Sequence, residues 1–215
     1  MKSYNDIKEE LLHHYKECLG RHQKALDEAT KNNDLLTIKA RRRGINDVEK
    51  SIENIDEATK SCIGSRVNYL LIDIERMSKI MQDDYFNRFD RFSDIFLGNT
   101  RDEQGRRNLF GEELGLTKDD LSLFKGKIAS LTTTKDDFIN YANQQFGTNI
   151  PTCEDMMLMD EYKNSNNRDE YIRYAEMCRD SGKLSSAGGV LGATVQDLID
   201  GFDSKHKEQI SNKQM

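Results

Sequence analysis

Apolar side chains recur every three or four positions along residues 65–92, and acidic and basic residues fill the positions between them. This spacing places the apolar side chains on one face of an α-helix, because a helix turns once in about 3.6 residues. The same apolar stripe extends over residues 45–96. A helix of this length must pack its apolar face against other helices, either of its own chain or of a partner.

Four-residue steps around Thr59 and Ile63 interrupt the heptad spacing of this stripe. Such steps are typical of a stutter, where a coiled coil locally unwinds. Gly64 lies beside them, and a kink or tight turn at the glycine explains the pattern equally well. The sequence leaves open whether residues 45–96 form one helix or a hairpin at Gly64.

Residue usage favours an all-α fold. Valine occurs only four times and the only proline is Pro151, whereas sheets favour β-branched residues and proline interrupts helices. Four segments place a hydroxyl three residues before an acid, a pattern typical of helix N-termini. These segments begin at Ser3, Thr117, Thr134 and Thr194. We therefore predict long antiparallel amphipathic helices, as in a helical bundle or coiled coil, with a small irregular C-terminal appendage.

The order of patterns along the chain predicts two parts. The first helix begins after Ser3 and ends near the polar sequence TKNND, and a glycine-rich loop covers residues 98–116. Helices follow over about 118–131 and 135–146, the second ended by Gly147. Pro151 then separates a helical domain (residues 1–150) from the appendage (151–215), in which SSAGGVLGA forms a flexible joint before a terminal helix.

Charge and hydropathy limit the function classes. The net charge of −6 disfavours a protein that binds nucleic acid over its whole surface. No apolar run is long enough to span a bilayer, and the N-terminus lacks the apolar centre of a signal peptide. The four cysteines are far apart without a CxxC pair, which predicts reduced thiols in an intracellular protein, cytoplasmic or nuclear.

His14, Cys18 and His22 follow one another at intervals of four residues, so one face of the first helix carries all three. Imidazole and thiolate are good zinc ligands, but a fourth ligand is not evident. Packing in a helical interface also explains Cys18 and His22, which occupy heptad positions. The sequence therefore predicts no metal and no cofactor, with these three residues as weak candidates.

The basic run Lys39, Arg41, Arg42 and Arg43 could contact phosphate, because clustered guanidinium groups bind it well. A solvated helix face is the simpler interpretation. No aromatic residue is near enough in sequence to stack on a base. Any contact with nucleic acid is expected to be indirect.

Catalytic motifs are missing from the sequence. HExxH, GxSxG and nucleophilic cysteine patterns do not occur, and the glycines before Thr194 lack the lysine and hydroxyl residue of a phosphate-binding loop. We predict that the chain is not an enzyme. A metal-dependent helical enzyme would depend on His14, Cys18 and His22 alone.

Large apolar side chains cluster towards the end of the stripe, where they would fill a core or meet a partner protein. Methionine and aromatic residues are favoured at protein interfaces. The predicted interface residues are Tyr69, Ile74, Met77, Met81, Tyr85, Phe86, Phe89 and Phe92.

Residues 66–76, RVNYLLIDIER, followed by Lys79 and Ile80, resemble the long helix of GINS complex subunits. The segment LTKDDL at residues 116–121 resembles the start of the next helix in that family, so the resemblance covers residues 66–146. It implies a non-enzymatic scaffold that packs with three related subunits and activates the replicative helicase. It also implies a small β domain after Pro151, for which residues 171–174 would form a closing strand.

These observations predict a non-catalytic helical subunit of a multiprotein assembly, in the form of a GINS-like DNA replication scaffold. Its partners would be other protein subunits, in a hetero-oligomer or a homodimer. The alternative is a helical adaptor or coiled-coil effector that binds proteins outside replication.

Overall fold

The computed structural model describes residues 2–81, 114–115, 131–184 and 192–213. Within these ranges the chain forms seven helices, and none of the described residues lies in a β-strand. The predicted all-α fold is confirmed. The helices are α1 (Tyr4–Lys31), α2 (Leu35–Glu53), α3 (Ile55–Met81), α4 (Leu131–Phe146), α5 (Cys153–Asn164), α6 (Arg168–Asp180) and α7 (Val195–Lys213).

Two of the four predicted helix starts are confirmed. Ser3 and Asp6 form a reciprocal capping box at α1, and Thr194 exchanges equivalent hydrogen bonds with Asp197 at α7. The start at Thr134 was wrong, because α4 already includes residues 131–134. The segment at Thr117 lies outside the described residues.

A third capping box, formed by Thr152 and Asp155 at the start of α5, was not among the predicted helix starts. Its acid is an aspartate, as in the other two, so the pattern alone would have found it. The C-terminal part is consequently more regular than the sequence indicated, since α5 and α6 fill most of residues 153–180. Residues 171–174, where the family resemblance implies a strand, lie in α6.

Helices α1 and α2 form an antiparallel hairpin that ends in a tight turn. Asn33 has φ +54°, a left-handed conformation that asparagine tolerates better than most residues. Asp34 then caps α2 by accepting the backbone N–H of Thr37 at 3.1 Å. The turn therefore lies where the polar TKNND sequence predicted the end of the first helix.

The break in the apolar stripe is at Asn54, and α3 continues through Gly64. A hairpin at Gly64 is thus excluded. The Asn54 N–H donates to the Lys50 carbonyl, and the Ala58 N–H donates to the Asn54 carbonyl, each at 3.0 Å. Helical hydrogen bonding therefore persists on both sides of a one-residue interruption.

The main core lies between the N-terminal part of α1, the middle of α3 and α4. Ile63, Val67 and Leu70 of the predicted stripe are buried, together with Phe138 and Ile139 of α4. Leu114 closes this core, and its carbonyl accepts the Lys2 N–H at 2.9 Å. The stripe on α3 is therefore core-forming over residues 63–70.

The base of the α1–α2 hairpin is tied to the start of α3 by polar contacts. The Tyr4 hydroxyl and Lys8 Nζ both donate to Asp56 Oδ1, at 3.0 and 2.7 Å. Burial raises the pKa of Tyr4 to about 12, and the bond to Asp56 adds to this effect. The same two donors hold the pKa of Asp56 below its usual range.

A close backbone crossing joins α3 to the turn that ends α6. An added Cβ at Gly64 would overlap the Asp180 carbonyl and the Gly182 amide nitrogen, and one at Gly182 would overlap the backbone of Ser65. Gly182 also has φ +74°, which favours glycine. The side chains of Ser65 and Asn68 donate to carbonyl groups of this turn. Two glycines thus allow the helix and the turn to meet.

Packing of α7 completes the described fold. Lys50 of α2 bonds both carboxylate oxygens of Asp197 at 2.6 and 2.7 Å, and Glu57 accepts the Val195 N–H at 3.2 Å. On the other side, the ring of Phe202 stacks on Tyr171 of α6 at 4.4 Å between centroids. The predicted division at residue 150 stays a prediction, while these contacts join α7 to both parts.

We expect Gly64→Ala to lower the free energy of unfolding by about 3 kcal/mol, because its methyl group would overlap backbone atoms that cannot turn aside. Gly20→Ala is the matched control: Gly20 lies in α1, and apart from its own helical turn no described atom comes within 4 Å of an added Cβ. That control should stabilise the protein by up to about 1 kcal/mol through helix propensity. Urea unfolding followed by circular dichroism would measure the free energy of unfolding of both variants. Equal changes in the two would contradict the close backbone crossing at Gly64.

We also expect Asp197→Asn to reduce stability by about 1 kcal/mol at neutral pH. Burial alone would raise the pKa of Asp197, but bonds from Lys50 and Thr194 hold it below its usual range. A lowered carboxyl pKa stabilises the fold above the unfolded value and loses that contribution as the pH falls. The difference between wild type and variant should therefore shrink below about pH 4. A difference in stability that stays constant with pH would contradict the lowered pKa of Asp197.

Candidate functional site

The exposed side of α3 is the best candidate for a functional surface. Tyr69 and Ile72 are 51% and 45% exposed, although both lie on the helix that forms the core. Ile63, Val67 and Leu70 occupy the opposite side of the same helix. Tyr69 and Ile72 are also farther along α3 than the crossing at Gly64, so the α6 turn does not cover them.

The structure locates some of the predicted interface residues and not others. Tyr69 is exposed on α3 as described above, and Ile74, Met77 and Met81 belong to the C-terminal part of the same helix. Four further candidates lie outside the described residues, namely Tyr85, Phe86, Phe89 and Phe92. Ile72 is off the apolar stripe and was not among the predicted interface residues.

The weak metal candidates separate into two groups on α1. His14 Nε2 is 3.5 Å from Cys18 Sγ, which also accepts a hydrogen bond from Arg21 at 2.9 Å. His22 instead faces α2, where an added Cβ at Gly44 would be 2.8 Å from its ring. In the described part of the chain, no three His, Cys, Asp or Glu residues are grouped so that they could hold a metal ion.

The basic run on α2 also divides. Lys39, Arg42 and Arg43 are exposed. Arg41 turns towards α1, where its Nη1 is 3.5 Å from His22 Nδ1. Its Nε is buried and has no hydrogen-bond partner among the described residues. A phosphate contact by this run would therefore use Lys39, Arg42 and Arg43, and Arg41 belongs to the packing of α1 against α2.

A cavity of about 260 Å³ lies between α1, the junction of α2 and α3, and Leu184 and Gly192. Tyr15 and Cys62 line it with several serines. Burial raises the pKa of Tyr15, which further favours the neutral hydroxyl. Sequence reasoning could not have found this cavity, because its lining residues come from three distant segments.

Two of the thiols, those of Cys153 and Cys178, do not show the features of a nucleophilic centre. None of the four cysteines forms a disulfide within the described residues. Burial raises the pKa of both the Cys153 and the Cys178 thiol, and Asp136 adds to the effect at Cys153. Because the thiolate is the nucleophilic form, these two side chains are poorly suited to attack a substrate at neutral pH.

Comparisons with known proteins identify no relative of this chain. No family model matches the chain, and neither a curated protein nor a solved structure shows significant similarity to it. Across the described residues, no helix is both long and apolar enough to cross a bilayer.

We expect dialysis against a metal chelator to leave the helical circular dichroism signal and the thermal midpoint unchanged. A structural zinc site holds its metal with four ligands, whereas His14 contacts Cys18 and His22 faces α2. Elemental analysis of the purified protein would accompany the melting curve. A stoichiometric metal that is lost in His14→Ala, or a lower midpoint after dialysis, would contradict this expectation.

Proposed function

We propose that the chain is a non-catalytic helical subunit that binds another helical protein through the exposed side of α3. The observation that supports this most directly is the exposure of Tyr69 and Ile72 on a core helix. A single exposed apolar side chain is ordinary, but a tyrosine and an isoleucine exposed together on one helix face provide contact area for a partner.

The positions of these residues suit a helical partner. Tyr69 and Ile72 are three residues apart on α3, so they lie on adjacent turns of one face. Helix-in-groove recognition uses anchors at this spacing, continued at four and seven residues. Counted from Tyr69, those positions are Asp73 and Arg76, so the apolar anchors at this spacing are Tyr69 and Ile72 alone.

The GINS-like scaffold is the more specific form of this proposal. It is supported by the family resemblance of residues 66–80, which includes Tyr69 and the α3 segment around it. The helical conformation of residues 171–174 departs from that resemblance. The proposal therefore uses only the helical scaffold and not the β domain. A helical adaptor outside replication would use the same face with a different partner.

Affinity purification from the native cell with mass spectrometry tests both forms. We expect the tagged wild-type protein to recover a partner, and Tyr69→Ser combined with Ile72→Ser to lose most of it. Both side chains are about half exposed, so the double variant should keep its thermal midpoint within a few degrees. The matched control combines Met157→Ser and Leu158→Ser, exposed apolar residues on α5.

The identity of the recovered proteins distinguishes the two forms. Three helical subunits of similar size with helicase components would support the replication scaffold. Unrelated partners that are lost only in the α3 variant would support the adaptor. Recovery of the protein alone, or equal loss in the α5 control, would overturn binding through α3.

A further inference from the structure

The end of the α1–α2 hairpin carries an exposed pair of leucines. Leu35 and Leu36 are 77% and 84% exposed, the highest values among the large apolar side chains of the described residues. They are the first two residues of α2, directly after the turn from α1. A single exposed leucine is ordinary, but two adjacent ones at the end of a hairpin suggest a contact surface.

The residues around this pair have a charge opposite to that of the whole protein. Residues 31–43, called the hairpin tip below, contain five basic residues and one acid, for a net charge of +4. The complete chain carries −6. Positive charge is therefore concentrated beside the exposed leucines, and an anionic partner would be attracted to this end of the molecule.

The side chains of the hairpin tip are arranged to meet such a partner. Lys39 and Arg42 are exposed, and Arg43 retains 71% side-chain exposure beside Asp47 at 3.9 Å. The one acid, Asp34, is engaged in capping, because its carboxylate accepts the backbone N–H and the hydroxyl of Thr37 at 3.1 and 2.7 Å. Arg41, which faces α1, does not take part.

We propose that the hairpin tip docks on the surface of an anionic lipid bilayer. The leucine pair would enter the boundary between headgroups and acyl chains, while the exposed lysines and arginines bind lipid phosphates and carboxylates. Basic residues beside apolar ones are the combination that holds proteins at an anionic membrane surface. This inference is independent of binding through α3, because it uses a different end of the molecule.

The leucine pair favours an anionic lipid surface over nucleic acid or an acidic protein as the partner. Nucleic acid would bind the basic side chains, but it gives two exposed leucines no role, and the hairpin tip has no aromatic residue to stack on a base. A partner protein with a groove would use apolar anchors spaced three or four residues apart. Leu35 and Leu36 are adjacent and point in directions about 100° apart. Insertion into a lipid boundary requires no such spacing.

Sedimentation of the full-length protein with lipid vesicles tests the proposal. The vesicles would contain phosphatidylcholine alone, or phosphatidylcholine and phosphatidylserine at about three to one. We expect binding to the anionic vesicles only, with a decrease as salt is added. Lys39→Gln, Arg42→Gln and Arg43→Gln combined should weaken it by about a hundredfold. Leu35→Ser with Leu36→Ser should weaken it by about tenfold.

Matched variants control for surface charge and for exposed apolar residues elsewhere. Lys163→Gln, Lys205→Gln and Lys207→Gln combined remove three exposed lysines outside the hairpin tip. Met157→Ser with Leu158→Ser removes an exposed apolar pair from α5. We expect both to bind vesicles like wild type. Because all the substituted residues are exposed, circular dichroism should show that every variant keeps its helical content.

Several results would overturn the proposal. These are absent binding to anionic vesicles, equal binding to neutral ones, or equal losses in the control variants. If soluble glycerophosphoserine displaced the protein from anionic vesicles, a free headgroup would suffice for binding, and docking on a bilayer would be overturned. Binding to polyglutamate or to a duplex oligonucleotide, without binding to vesicles, would assign the hairpin tip to an acidic protein or to nucleic acid instead.

Discussion

The arrangement of the described helices depends on one steric constraint, the contact between the backbone of α3 and the turn at the end of α6. Gly64 and Gly182 leave room for this contact, and the side chains of Ser65 and Asn68 hold it with hydrogen bonds. The contact positions α6 on the polar side of α3, while the apolar side packs on α1 and α4. Helix α3 is therefore covered on two sides, and its exposed large apolar residues, Tyr69 and Ile72, lie beyond the crossing.

The helical character of the chain could be predicted from the sequence because it depends on local patterns. Hydroxyl–acid pairs at Ser3 and Thr194 identify two helix starts, and the apolar period over residues 63–70 identifies the core face of α3. The polar TKNND sequence identifies the end of α1, where the structure has the hairpin turn. In each case the physical cause lies within a few residues along the chain.

Features that depend on distant residues could not be predicted in this way. Gly64 suggested a kink from the sequence, whereas its role is to admit a turn more than a hundred residues away. Arg41 belongs to a basic run in the sequence, but contact with His22 on α1 separates it from Arg42 and Arg43. The cavity beside Tyr15 likewise has lining residues from three segments. Of the candidate surface, Tyr69 was predicted from its residue type and Ile72 was missed.

The length of α1 has a consequence for how the molecule would approach a charged surface. From Ile7, which is buried in the main core, to Lys31 at the hairpin turn, the helix rises by about 36 Å. The positively charged hairpin tip is thus held far from the main core, and the rest of the chain carries the excess negative charge. Such a separation of charge gives the protein a large electric dipole moment along the hairpin. Near a charged object, this dipole would rotate the protein into one orientation before any contact forms.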